Sequence, residues 1–153
     1  MSSNRSDNRV HELIDAVWTM TLATTGENGP WSAPVYYLYR DRWFYFFSSP
    51  SSRHIQDGLA HRAAASIFRV HARKDRLEGL QMHGTIHLQR AGIRAAAASA
   101  AYARRFDITV SGPDFLAFFQ NVFHARLFAF VPDQVYHMDN RKGFGSQIGR
   151  AHV

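Results

Sequence analysis

The chain opens on a helical spacing. Val10, Leu13, Ile14 and Val17 fall at i, i+3, i+4 and i+7, which puts them on one face of a helix over residues 8–17, with Asp7 or Asn8 as its cap. At Trp18 the period drops to two, with Trp18, Met20 and Leu22 on one face and Thr19 and Thr21 on the other, as in a half-buried strand. The dense turn signal Gly26-Glu27-Asn28-Gly29-Pro30 leads into a β-rich run over residues 31–39. Arg40-Asp41-Arg42 then turns the chain into Trp43-Phe44-Tyr45-Phe46-Phe47. Three strands joined by short polar turns predict an antiparallel meander.

After Ser48-Ser49-Pro50-Ser51-Ser52, the spacing of Ile55 and Leu59 predicts a short helix over 53–61, capped by Ser51 or Ser52. Strands follow at 63–71 and 77–89, the second with Met82, Ile86 and Leu88 alternating against Gln81, Thr85 and His87. Gly84 marks a bulge or a close backbone approach within it. Seven alanines between 93 and 106 favour a helix. A second short helix is expected over 114–121, and strands at 127–131 and 135–138 close the sheet. The fold class expected is mainly β (α+β): an antiparallel barrel, closed or nearly so to hide its strand edges, with small peripheral helices. With 153 residues and no linker or internal repeat, the chain reads as one domain, its last residues, 146–153, as a flexible tail.

Composition narrows the chemistry. There is no cysteine, which excludes disulfides, thiolate zinc sites and thiol nucleophiles and leaves redox chemistry to a bound cofactor. The start Met1-Ser2-Ser3-Asn4-Arg5 lacks the apolar run of a signal peptide, and no stretch approaches a membrane span, so a cytoplasmic location is expected. A net charge of +6 favours anionic partners: nucleic acid, a phosphorylated small molecule or an acidic surface. The cations are scattered, as at Arg104-Arg105 and Arg141-Lys142, which argues against a nucleic-acid stripe.

The most informative stretch runs from Phe46 to His54: a strand end, four hydroxyls among Ser48, Ser49, Ser51 and Ser52, and a helix start carrying Arg53. The first amides of a helix lack backbone partners and carry partial positive charge, so an anion gains hydrogen bonds there, and a guanidinium adds a permanent fork. The plainer alternative is that the serines only cap the helix and Arg53 is solvated. Other chemistries fare worse. His83 and His87 are four apart, but on a strand that is roughly 13 Å, too far to share a metal ion, so no metal is expected. Ser48, His54 and Asp57 lack the Gly-x-Ser-x-Gly setting of a nucleophile. The rings of residues 43–47 could stack bases on a nucleic-acid-binding barrel, but suit a barrel core better. A haem would want an axial ligand, for which His83, His124 or His137 could serve.

Taken in order, Leu22-Ala23-Thr24, Gly29-Pro30-Trp31-Ser32-Ala33-Pro34-Val35, Phe46-Phe47-Ser48 and Ser52-Arg53-His54 resemble the pyridoxamine-phosphate-oxidase-like flavin-binding split barrels. Gly79-Leu80-Gln81-Met82-His83-Gly84, Ala101 to Phe106 and Asp139 to Gly145 resemble the YhbP-like subfamily. The resemblance implies an FMN-dependent oxidoreductase, passing electrons between flavin and a small organic or nicotinamide partner, with FMN in a homodimer cleft. A haem- or F420-binding module on the same fold is the alternative. The flavin would lie against Ala33, Pro34, Val35 and Tyr36, with Phe47 and Ser48 beside it. Ser49, Ser52, Arg53 and His54 would hold its phosphate, and Gln81 would approach the ring or ribityl chain. Arg141, Lys142 and Phe144 could reach a flavin from either subunit. Two departures matter: His54 stands where the family usually has a second permanent cation, and Leu38 where true pyridoxamine-phosphate oxidases carry lysine. Arg150-Ala151-His152 has the spacing of their C-terminal Arg-x-His but not its setting, so vitamin B6 oxidation is not expected.

Overall fold

The structure, a computed structural model, describes residues 2–73, 76–109, 112, 114–142 and 147–150. Helix α1 (Ser2–Ala16) is followed by β1 (Thr19–Gly26), β2 (Gly29–Tyr36), β3 (Leu38–Arg40) and β4 (Trp43–Ser48). Then come α2 (Arg53–Ala60), β5 (Ala63–Val70), β6 (Leu77–Leu88), α3 (Ile93–Arg105), α4 (Phe115–Phe123), β7 (Arg126–Asp139) and β8 (Gln147–Arg150). The hydrogen-bonded path runs β2-β1-β5-β6-β7-β4-β3, every pair antiparallel, with β8 also on β7. The chain passes from β2 to β3 through Tyr37, but no ladder joins these path ends, so the sheet curls into a split barrel.

The alternation read from the sequence sets its inside. Met20, Leu22, Phe44, Phe46, Leu80, Met82, Ile86, Phe128 and Phe130 are buried in one cluster, which Val10, Leu13 and Ile14 of α1 and Ile55 of α2 complete from the ends. Burial of such side chains is worth roughly 1.5–3 kcal/mol each. The other face of β4 is covered too. Tyr45 packs with Ala95 and Ala98 of α3, and Phe47 stacks on Phe119 of α4 at 3.8 Å between ring centroids. The rings of β4 are therefore core, and with Phe44, Tyr45 and Phe46 fully buried no base-stacking row is exposed on it.

Several boundaries differ from those the sequence suggests, each for a visible reason. The run 31–39 breaks at Tyr37, whose hydroxyl turns inward to donate to the Ile14 carbonyl at 2.6 Å. Residues 126–139 form one strand instead of two, because Pro132 pairs with Gly84 where the register shifts after His83. A Cβ on Gly84 would lie 2.2 Å from the Val131 oxygen, so this is the close approach that glycine permits. Helix α1 begins well before Asp7, so neither Asp7 nor Asn8 is its cap. Ser52 is at the N-cap of α2 but makes no capping bond; its hydroxyl donates to the Ser49 carbonyl at 2.7 Å. Within the stretch expected to be a tail, Gln147–Arg150 pairs with Tyr136, His137 and Met138 as β8. None of the helices, over the described residues, is long and apolar enough to cross a membrane.

Candidate functional site

The end of β4 and the first turn of α2 bring the hydroxyls together. Ser48 Oγ lies 2.8 Å from His54 Nε2 and 3.3 Å from Ser52 Oγ, and Ser49 Oγ lies 2.9 Å from Ser51 Oγ. The helix opens with no side-chain cap, so its leading N–H groups keep their capacity to bind an anion. Burial holds the His54 imidazole below its ordinary pKa of 6.5, which favours the neutral ring in the free protein. Ser48 and His54 are thus in contact, but Asp57 pairs with Arg53, and no Ser-His-Asp relay is assembled.

Arg53 is held from three sides. Its Nη2 donates to the Asn28 carbonyl at 2.8 Å and the Gly29 carbonyl at 3.2 Å, both in the β1–β2 hairpin. Its Nε lies 3.5 Å from Asp57 Oδ2 one helical turn on. Its guanidinium carbon sits 4.5 Å from the centre of the Trp31 ring, a cation–π stack. Nη1 has no protein partner among the described residues. Trp31, Asn28 and Asp57 are not among the phosphate-site residues expected from sequence, where Asp57 enters only beside Ser48 and His54; the Arg53/Asp57 spacing of four is the available signal, since that spacing places both on one helix face.

Residues 33–36 lie on β2, one end of the hydrogen-bonded path, with no strand among the described residues paired to its outer edge. Ala33 is buried opposite Leu22 and Val35 is half-buried opposite Met20, so their side chains face the core; Pro34 and Tyr36 face outward. Phe47 points toward α4 and not toward the hydroxyls. The expected members thus group unevenly: β2, the end of β4 and the start of α2 form one neighbourhood. Gln81 lies elsewhere, in an outward row that crosses the sheet through Pro34, Thr21, Ser66, Gln81 and Tyr136. Three strand spacings, about 14 Å, separate it from Pro34. Arg141 is at the opposite end of the strands, with Nε 2.9 Å from Asp139 Oδ1 and 2.8 Å from Oδ2. Phe144 and the side chain of Lys142 are outside the described residues.

That opposite end carries a second charged cluster. Glu78 and Asp139 are cross-strand partners and both buried. Arg69 donates to Glu78 at 2.9 Å, His137 Nε2 lies 3.1 Å from it, and Arg9 from α1 reaches Asp139 at 3.2 Å. Burial alone would raise the Glu78 pKa, but bonds from Arg69, His137 and His71, with the Arg9 charge, more than offset it, and the carboxyl sits below its ordinary value. Of the histidines considered for haem, His137 is committed to Glu78. His83 is bracketed by Arg62, with its Nε at 3.3 Å, and Asp133, and His124 closes α4 in a left-handed conformation.

Known proteins with this architecture include a conserved hypothetical protein from Mycobacterium tuberculosis, 15% identical, with TM-score 0.73, covering 96% of this chain and 92% of that one. An FAD-binding protein from Mesorhizobium loti is 17% identical, with TM-score 0.66 over 86% and 91% of the two chains. The haem storage protein HutZ from Vibrio cholerae is 15% identical, with TM-score 0.68 over 88% and 94%. At these identities the likeness is one of fold. No curated protein matches the sequence. The pyridoxamine 5'-phosphate oxidase family model matches residues 6–139, and with the split barrel and its strand-to-helix cradle this makes the chain a member of the pyridoxamine 5'-phosphate oxidase-like family.

Proposed function

We propose that the protein binds FMN at a homodimer interface and works as an oxidoreductase, passing electrons between the flavin and a small organic or nicotinamide partner. The observation that carries the reading is the uncapped start of α2, ringed by Ser48, Ser52 and His54 and flanked by the fixed Arg53 guanidinium. It offers donors and positive charge to a phosphate, and the free edge of β2 beside it offers backbone groups to the rim of a planar ring. When bound, the flavin supplies the electron transfer; the chain's residues anchor the phosphate, orient the ring and exclude water from one side of it.

A second subunit fits the outward face of β2, β1, β5 and β6. There Tyr36 and Phe68 are each 56% exposed, beside small side chains at Ala23, Ala64 and Ser66. Such an apolar sheet face is a liability for a monomer and suits an isologous contact. Within the family we place the chain nearest the YhbP-like branch, on the motifs from Gly79 to Gly84 and from Ala101 to Phe106.

A haem-binding module is the second reading, favoured by haem-binding proteins of the same fold, such as HutZ. An absorption spectrum of purified protein before and after adding FMN or haemin separates the two. Flavin bands that saturate at one per subunit support the proposal. A protein that ignores FMN and takes haemin overturns it.

A further inference from the structure

An ideal Cβ built on Gly26 would lie 2.0 Å from Oδ1 of Asp57 and 2.5 Å from its Cγ. The Asp57 carboxylate therefore occupies the space a side chain at residue 26 would need. That residue needs no glycine for its backbone, because only Gly29 and Gly112 among the described glycines have positive φ. Gly26 thus serves as a slot: it lets the α2 carboxylate press against the β1–β2 hairpin. From there the carboxylate reaches Arg53 Nε, while Arg53 Nη2 holds the hairpin carbonyls of Asn28 and Gly29.

We infer that Asp57, seated in the Gly26 slot, is a positioning residue that fixes Arg53 for a ligand phosphate, and so sets the preference for a phosphorylated flavin over its unphosphorylated form. The inference rests on the phosphate reading of the cradle. A guanidinium has five N–H donors in a rigid plane. Nε is buried 3.5 Å from Asp57 Oδ2, an ion-pair contact without a hydrogen bond; with Nη2 on the hairpin carbonyls and one face on Trp31, the Nη1 hydrogens remain for a ligand. The Nη2 bonds, the Trp31 stack and the Asp57 charge together limit how far the plane swings, so less orientational freedom is left to lose when an anion binds. Removing Asp57 frees one of the contacts and lets the fork rotate about the Trp31 face. The side chains of Arg53 and Asp57 are only 33% and 19% exposed, so the pair is partly shielded from screening.

The test measures the ratio of FMN to riboflavin affinity, by fluorescence quenching, in Arg53→Ala, Asp57→Ala, Gly26→Ala and the Gly26→Ala/Asp57→Ala double variant. A residue that merely stabilised the fold would weaken both ligands together and leave the ratio alone. Asp57→Ala is expected to lower the ratio roughly two- to fivefold, the upper part of the range of a partly exposed ion pair. Gly26→Ala is expected to do the same, because the new methyl displaces the end of a flexible side chain without straining the backbone. Once Asp57 is gone the slot is empty, so Gly26→Ala should add nothing in the double variant, a non-additivity diagnostic of direct contact. If Arg53→Ala lowers the ratio while Asp57→Ala and Gly26→Ala leave it unchanged, the positioning role is wrong and the phosphate reading stands. If Arg53→Ala itself leaves the ratio unchanged, both fall.

Discussion

His54 should make FMN binding depend on pH in a way that a permanent cation would not. In the free protein its imidazole is half-buried, bonded to Ser48 Oγ at 2.8 Å, and held below the ordinary pKa of 6.5 by that burial. A bound phosphate dianion at the start of α2 favours the imidazolium, so the bound pKa rises above the free one. Between the two values binding takes up a proton, and affinity falls as pH climbs through that window. One imidazole sets the limit: at most one proton, hence at most about tenfold in Kd, or about 1.4 kcal/mol, per pH unit. The phosphate itself ionises near pH 6 and pulls the other way, since its dianion binds better as pH rises. Comparison with His54→Lys, charged throughout, cancels that contribution. The ratio of wild-type to His54→Lys Kd should therefore rise with pH. Titration calorimetry in buffers of different ionisation enthalpy should count a fraction of one proton taken up by the wild type and none attributable to the lysine variant. Parallel pH profiles for the two proteins, with equal proton uptake, would refute the reasoning and place Arg53 and the helix amides alone on the phosphate.

Three further outcomes are expected. Gly84→Ala puts a methyl 2.2 Å from the Val131 oxygen and 2.9 Å from Pro132 Cα, both backbone atoms, and should cost about 2–3 kcal/mol in chemical denaturation. Glu78→Gln leaves Arg69 without its charge partner, while Arg9 keeps Asp139, and should cost about 2–3 kcal/mol near neutrality, discounted for the partly exposed guanidinium group. Because the folded Glu78 pKa lies below its ordinary value of 4.5, that stabilisation is present above 4.5 and lost as pH falls through the folded value, so the two proteins should converge in acid. Phe68→Glu places a charge on the outward face of β5 and should turn the proposed dimer into a monomer by light scattering, with FMN affinity lost alongside; a dimer unchanged in mass would remove that face as the interface.

Strand alternation and turn chemistry made most of the barrel legible, because residues such as Met20, Leu22, Leu80 and Met82 obey a period of two wherever one face meets the core. What escaped depended on partners distant in sequence. Nothing local marks the break at Tyr37, which follows from a hydroxyl bond to a helix 23 residues earlier. Nothing local predicts that residues 132 and 133 continue a strand, since that needs the register shift opposite, at His83 and Gly84. The cradle was readable as a set of residue types, but the state of Arg53 was not. Its stack on Trp31 and its bonds to Asn28 and Gly29 join segments more than twenty residues apart. The cluster around Glu78 was invisible for the same reason, as its members come from α1, β5, β6 and β7.

The placement of Arg141 bears on which cations a flavin would meet. The cradle stands at the end of the strands where Ala63 pairs with Gly84, and Arg141 follows Asp139, which pairs with Glu78 six residues back along β6. Six residues of strand span roughly 20 Å, so within one protomer Arg141 and the cradle are at opposite ends of the barrel. A twofold axis perpendicular to the strands would reverse the partner and bring its Asp139 end over the cradle. Even then the guanidinium is already committed to a fully buried carboxylate. Moving it to a ligand would leave Asp139 beside Glu78 with Arg9 and the Arg141 N–H as its remaining partners, a loss discounted because the Arg141 side chain is 36% exposed. Within the protomer Arg141 is held by Asp139, whereas Arg53, held in place by the hairpin, Trp31 and Asp57, stands at the proposed phosphate cradle itself.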